Sequence, residues 1–149
     1  MNYLKIQKRI LDSFLKGCPR LPCLTLDDCY LISDNGYQLF RIPKSEMWID
    51  VKKMMEGREE VTSLERFFEI EGEDGVLTGD MKELPKSKST AIKVASQNSF
   101  TWVDKKLLDR YEVKNRLHFT ISDEKNKPVL VWEDEVLCGL ICPVKVEGD

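Results

Sequence analysis

The sequence predicts an α+β fold in which one antiparallel β-sheet carries two main helices on one face. Two-faced helical patterns cover residues 3–16 and 104–111. Apolar runs separated by turn-forming residues precede and follow the second helix, and this spacing is typical of antiparallel strands. The 149 residues are enough to bury a core. We therefore expect a single domain over residues 1–149.

The composition, with 42% hydrophobic and 33% charged residues, is typical of a soluble globular protein. No apolar run approaches the roughly 20 residues that a membrane-spanning helix needs. Charged residues also interrupt the apolar positions of the N-terminus, so a secretory signal is not predicted. We expect a cytoplasmic location and no membrane partner.

The five cysteines are an odd number, which argues against a closed disulfide framework. They are Cys18, Cys23, Cys29, Cys138 and Cys142. Together they could form a metal knuckle, but no Cys-x-x-Cys pair occurs and His118 is the single histidine. The pattern favours free thiols that serve as small hydrophobic residues in a reducing compartment. No metal or other cofactor is predicted.

The first helix is predicted over residues 3–16. Leu4, Ile10, Leu11 and Phe14 share its inner face, Tyr3 and Ile6 lie at the edge of that face, and Lys5, Lys8, Arg9 and Lys16 lie opposite. Gly17 ends the helix, and Pro19 prevents its continuation. This helix therefore has a basic outer face.

Strands are predicted directly after the first helix. Residues 21–26 favour an edge strand, because Pro22 interrupts them. Residues 29–33 and 36–42 form the strongest hairpin, with Asn35 and Gly36 at a turn that demands positive φ. Residues 47–51 predict a further strand.

An acidic and irregular segment is expected at about residues 53–89. Residues 56–83 contain ten acidic residues against Arg58, Arg66 and Lys82. The capping-box spacing of Thr62 and Glu65 favours a helix that ends near Glu69, with Val61, Leu64, Phe67 and Phe68 on one face. Strands at residues 67–70 and 76–78 remain an alternative, and residues 82–90 are expected to form an exposed loop.

The last third of the chain predicts strand, helix and meander. Residues 90–95 and 100–102 are expected to be extended, and Asp104 is a plausible N-cap. The helix to residue 111 would point Val103, Leu107, Leu108 and Tyr111 inward and Lys105, Lys106 and Arg110 outward. The meander strands are expected at residues 117–121, 129–132 and 136–142.

No residue pattern predicts an enzyme. Gly-rich phosphate loops and G-x-S-x-G motifs do not occur, and the carboxylates at residues 69–74 lack EF-hand spacing. His118 is expected to face solvent from the polar side of a strand. Trp48, Trp102 and Trp132 could form a base-stacking platform, but alternating apolar neighbours favour sheet or core packing. A site formed at an oligomer interface remains the enzymatic alternative.

The order of these elements resembles one domain of the bacterial DNA sliding clamp family, the beta subunit of DNA polymerase III. The resemblance covers residues 3–44 and 90–146. It rests on the Leu31–Leu39 hairpin, the strand and helix of Phe100–Tyr111, and the closing meander with Pro128-Val-Leu-Val and Ile141-Cys-Pro-Val. A clamp subunit has three such domains and closes its ring as a dimer, so this chain would need about six copies to close a ring.

The resemblance implies a non-enzymatic module associated with DNA or with replication. In that family the helices line the hole that faces DNA. The matching basic positions are Lys5, Lys8, Arg9, Lys16, Lys105, Lys106 and Arg110. It also implies a hydrophobic partner pocket near Ile141, Pro143 and Val144. The expected partners are double-stranded DNA, replication proteins and further copies of this chain. The alternative is a protein-interaction adaptor that keeps the fold without binding DNA.

Overall fold

The computed structural model describes residues 1–17 and 22–148, and these form a mixed α/β protein built on one nine-stranded antiparallel sheet. The strands are β1 Cys23–Thr25, β2 Cys29–Ile32, β3 Gln38–Pro43, β4 Glu73–Leu84, β5 Ser89–Ala95, β6 Phe100–Asp104, β7 Leu117–Ile121, β8 Val129–Glu133 and β9 Val136–Ile141. The helices are α1 Tyr3–Leu15, α2 Val51–Met54, α3 Lys105–Asp109 and the 3-10 helices Lys44–Glu46 and Thr62–Phe68. The sheet order is β1-β2-β3-β9-β8-β7-β4-β5-β6.

The long strand β4 joins two parts of the sheet. Its first residues, Glu73–Gly75, pair with β7, and its remainder from Val76 pairs with β5. The segment after β9 then runs beside β6, where the backbone N–H of Val144 donates to the carbonyl of Trp102 at 2.9 Å. The sheet therefore curls, and the C-terminal segment links β9 with the opposite edge.

Two apolar clusters lie on opposite faces of the sheet, because neighbouring residues of a strand point to opposite sides. The larger cluster joins the helices to the sheet through Ile6, Ile10, Val51, Met54, Leu108, Tyr111, Phe40, Phe119 and Val131. The smaller cluster lies under the 3-10 helix Thr62–Phe68 and contains Leu24, Leu31, Leu39, Leu64, Leu130 and Leu140. Helices α1, α2 and α3 thus share one face of the sheet.

The first helix is confirmed, but its inner face is corrected. Asn2 caps it by accepting from the backbone N–H of Lys5, and Gly17 ends it at φ +81°. Leu4 is 53% exposed, whereas Gln7 is fully buried. The Gln7 side chain is buried because it bonds the backbone of residues 46–49, a long-range contact that helical periodicity does not reveal. Pro19 lies outside the described residues.

Several further elements are confirmed. The hairpin of β2 and β3 has Gly36 at φ +77°, and β1 is an edge strand, although Leu21 lies outside the described residues. Asp104 caps α3 by accepting from the backbone N–H of Lys106 at 2.9 Å. Strands β5 to β9 all lie where alternation predicts them.

The strand predicted at residues 47–51 is wrong. A 3-10 helix over residues 44–46 precedes this segment, and α2 begins at its last residue, Val51, with Asp50 as the N-cap. The backbone N–H groups of Trp48 and Ile49 donate to the Gln7 side chain. Those donors are therefore not available to a strand ladder.

The acidic segment is more regular than expected. The predicted helix is a 3-10 helix over Thr62–Phe68, and its N-cap is Val61 without a side-chain cap, so the capping-box prediction is wrong. The expected loop at 82–90 belongs mostly to the β4–β5 hairpin. Most side chains of β4 are exposed, and for that reason the strand shows no apolar alternation in the sequence.

Candidate functional site

The exposed side of α1 carries the clearest charge pattern among the described residues. Lys5, Lys8, Arg9 and Lys16 are all exposed. They span about 16 Å of helix axis at 1.5 Å per residue. Ile6 and Ile10 on the other side are at most 1% exposed, so the helix is held firmly in place. Asp12 interrupts the basic side.

Helix α3 lies on the same face of the sheet but presents fewer free cations. Lys106 is exposed, while Lys105 pairs with Asp109 at 2.9 Å. The expected outward position of Arg110 is wrong, because its guanidinium lies 3.9 Å from the Asp34 carboxylate and its side chain is only 20% exposed. A buried carboxylate contributed by a distant hairpin holds this arginine inward.

Sequence reasoning missed the cations next to α1. Lys52 and Lys53 are exposed on α2, and Arg58 lies over the Phe14 ring with its guanidinium carbon 5.4 Å from the centroid. A four-residue helix such as α2 is too short to show a helical pattern in the sequence, so its outward lysines are not predicted. The exposed acids Glu46, Asp50 and Glu56 lie in the same segment, so this neighbourhood is mixed in charge rather than uniformly basic.

Two of the three predicted partner-pocket residues line cavities, and the third is buried in the core. Pro143 and Val144 line two cavities, of about 660 Å³ and about 740 Å³, on either side of the C-terminal segment. The larger one is bounded by Leu84 and Pro85 of the β4–β5 hairpin, Leu107 of α3 and Val146 of the C-terminal segment. Ile141 is fully buried in the core and lines neither cavity.

The three tryptophans have different environments. Trp102 is 5% exposed and Trp132 packs against the smaller apolar cluster, so sheet packing is confirmed for both. Trp48 is 72% exposed, which corrects the packing expected for it. The ammonium groups of Lys82 and Lys93 lie 5.4 and 5.9 Å from the Trp102 ring centroid, which is the range of cation–π contacts.

His118 is more engaged than a solvent-facing residue. Its side chain is 28% exposed, and both ring nitrogens contact oxygen atoms, of Asp74 and of the Asp134 backbone. The hydrogen bond to the Asp134 carbonyl, together with Asp74, raises the pKa of His118 above 6.5 against the opposing effects of burial and Arg116. Local sequence pattern does not indicate these partners, because they come from β4 and from the turn after β8.

The described cysteines are free and mostly buried. Burial raises the pKa of Cys23 to about 12 and that of Cys138 to about 11. These thiols therefore stay protonated at neutral pH, which makes them poor nucleophiles. Across residues 1–17 and 22–148, no three potential ligands are grouped to hold a metal ion, and Cys18 lies outside those ranges.

Comparisons with protein-family models, curated proteins and solved structures found no match to this chain. Within the described part of the chain, no helix has the length and apolar character needed to cross a bilayer.

Proposed function

We propose that this chain is a non-enzymatic, cytoplasmic module that binds duplex DNA through the exposed basic side of α1. The observation that carries the proposal is the set of four exposed cations, three on α1 and Lys16 at its C-cap, along a helix whose opposite side is anchored in the core. Lysine and arginine side chains on a rigid helix contact phosphates without reading bases. Such contacts suit a protein that moves along DNA or remains on it regardless of sequence.

We further propose that the domain is of the sliding-clamp type and works with replication proteins. Two observations support this. Helices α1 and α3 pack on the same face of one antiparallel sheet. Helix α3 also stands between β6 and the β7–β8–β9 meander, which is the order that the resemblance implies. Because Lys105 and Arg110 are engaged within the chain, α1 supplies most of the phosphate contacts in this proposal.

Reversing charge on α1 tests the DNA contact. The double variant Lys5→Glu/Lys8→Glu removes two exposed cations and adds two repelling carboxylates. We expect it to bind a short duplex far more weakly than the wild type, and the slope of log affinity against log salt to become shallower by about 2. Fluorescence anisotropy with a labelled duplex at several salt concentrations measures both quantities.

A matched control is available at the tip of the β4–β5 hairpin. Lys86 and Lys88 are also exposed, so Lys86→Glu/Lys88→Glu makes the same change in net charge away from α1. We expect this control to bind DNA nearly as well as the wild type. Equal losses in the two variants would show only a general charge effect and would contradict a DNA contact located on α1.

A protein-interaction adaptor is the second candidate, favoured by the cavity of about 740 Å³ beside the C-terminal segment. Apolar side chains such as Leu84 and Val146 border it, and charged residues such as Lys82 and Glu83 stand at its margin. A peptide groove needs this combination of apolar contact and polar rim. No DNA binding by the wild type, together with selected peptides that bind the wild type but not Val146→Asp, would favour the adaptor.

A further inference from the structure

His118 on β7 contacts two separate parts of the chain through its two ring nitrogens. Its Nδ1 lies 2.7 Å from Oδ1 of Asp74 on β4. Its Nε2 contacts the backbone carbonyl oxygen of Asp134 in the turn between β8 and β9. The ring also stacks on Trp132, with centroids 5.9 Å apart and an interplanar angle of 13°. The imidazole therefore has a fixed orientation.

The partners of His118 identify its protonation state. A carboxylate oxygen and a carbonyl oxygen can only accept hydrogen bonds. A neutral imidazole carries one N–H, so one of its nitrogens would direct a lone pair at an oxygen lone pair. An imidazolium carries two N–H groups and satisfies both the Asp74 and the Asp134 contact. The arrangement is therefore complementary to the charged ring.

We propose that His118 is a proton-dependent clasp that fastens β4 to the β8–β9 turn. The charged groups around His118 have opposing effects on its protonated form. Asp74 attracts the imidazolium from β4, whereas Arg116 on the approach to β7 repels it. Asp134 and Glu135 line a cavity of about 350 Å³ that His118 also lines, and they add negative charge from the turn.

The clasp stands at a narrow junction of the sheet. Strand β4 pairs with β7 only through Glu73–Gly75, and its remaining residues pair with β5. Loss of the proton removes one of the two hydrogen bonds and the attraction to Asp74. Since the folded-state pKa is raised, the stabilisation is complete below the ordinary value of 6.5 and is lost as pH rises through the higher folded-state value.

Nitrogen chemical shifts of the imidazole measure the protonation state directly, and a single histidine in the sequence makes the signal unambiguous. We expect both ring nitrogens to be protonated near pH 6 and the titration midpoint to lie above that of an unstructured histidine. Asp74→Asn should lower the midpoint, while the control Glu135→Gln, which removes a nearby carboxylate without a bond to His118, should change it less. Each unit of difference corresponds to a tenfold change in proton affinity.

Amide hydrogen exchange provides a second readout of the clasp. Protection factors, corrected for intrinsic exchange, should fall for residues 73–75 and 119–121 as pH rises through the His118 midpoint. In His118→Gln the protection factors of these residues should already be lower at low pH, and they should not change as pH rises through the His118 midpoint. A singly protonated ring near pH 6, an ordinary midpoint, or protection in the wild type that does not follow the titration would overturn the proposal.

Discussion

Gln7 joins α1 to the segment that follows β3. Its side-chain nitrogen donates to the carbonyl of Glu46 at 2.8 Å, and its oxygen accepts from the backbone N–H of Trp48 at 2.7 Å and of Ile49 at 3.2 Å. A buried amide is tolerated when its donors and acceptor are satisfied. One polar residue therefore fixes the path of residues 46–49 and the position from which α2 begins.

We expect Gln7→Ala to destabilise the fold by about 2 kcal/mol, because it leaves backbone groups near a buried position without partners. The free energy of unfolding from urea titration measures this loss. The neighbouring exposed Lys8→Ala is the control and should change stability by less than about 0.5 kcal/mol. A Gln7→Ala variant as stable as the control would contradict the structural role of the amide.

Helix α3 is only five residues long, so its position depends on its ends. At its start Asp104 accepts from the backbone N–H of Lys106 at 2.9 Å and contacts the Ser89 hydroxyl. Beyond its end, the buried Tyr111 hydroxyl donates to the carbonyl of Leu39 at 2.9 Å. The Tyr111 ring occupies the space above Gly139, where an added Cβ would lie 1.9 Å from the Leu39 carbonyl oxygen.

We expect Asp104→Ala to cost about 1 kcal/mol of stability through the loss of the N-cap. A lower urea midpoint with an unchanged m value would be the signature of this loss. The control is Asp109→Ala on the same helix, which removes only the exposed pair with Lys105 and should cost at most about 0.5 kcal/mol. Equal effects of the two substitutions would argue against capping as the cause.

The sheet of this chain has open edges that matter at the scale of the whole molecule. Beyond Gly75 one side of β4 has no described strand beside it, and unpaired backbone groups there are natural sites of association. A clamp-type ring made from single domains would need about six copies joined head to tail. The proposed clamp function therefore predicts that copies of this chain associate with one another.

We expect light scattering to detect a ring-sized assembly that is retained on circular duplex DNA at moderate salt and released after the DNA is cut. Release upon linearisation distinguishes a topological link from ordinary electrostatic binding, which does not depend on closed DNA. The variant Lys5→Glu/Lys8→Glu should lose this retention, because it removes two exposed cations of α1 and leaves the β4 edge unchanged. A monomer that dissociates equally from circular and linear DNA would contradict the ring. Only the electrostatic contact between α1 and DNA would then remain of the proposal.

The sequence by itself determined those elements of the fold that depend on interactions between residues close in sequence. Apolar alternation placed the β2–β3 hairpin and the β7–β8–β9 meander, Gly17 ended α1, and Asp104 capped α3. These features depend on residues close in sequence. The exposed cations of α1 were predicted for the same reason, since helical periodicity alone sets their direction.

Tertiary structure decided the remainder, because the deciding partners are far apart in sequence. Gln7 is buried by residues 46–49, and Arg110 is turned inward by Asp34. His118 gains its two acceptors from β4 and from the β8–β9 turn. Each of these three side chains is satisfied by backbone or charged groups that are distant in sequence, and local sequence pattern carries no record of such pairing.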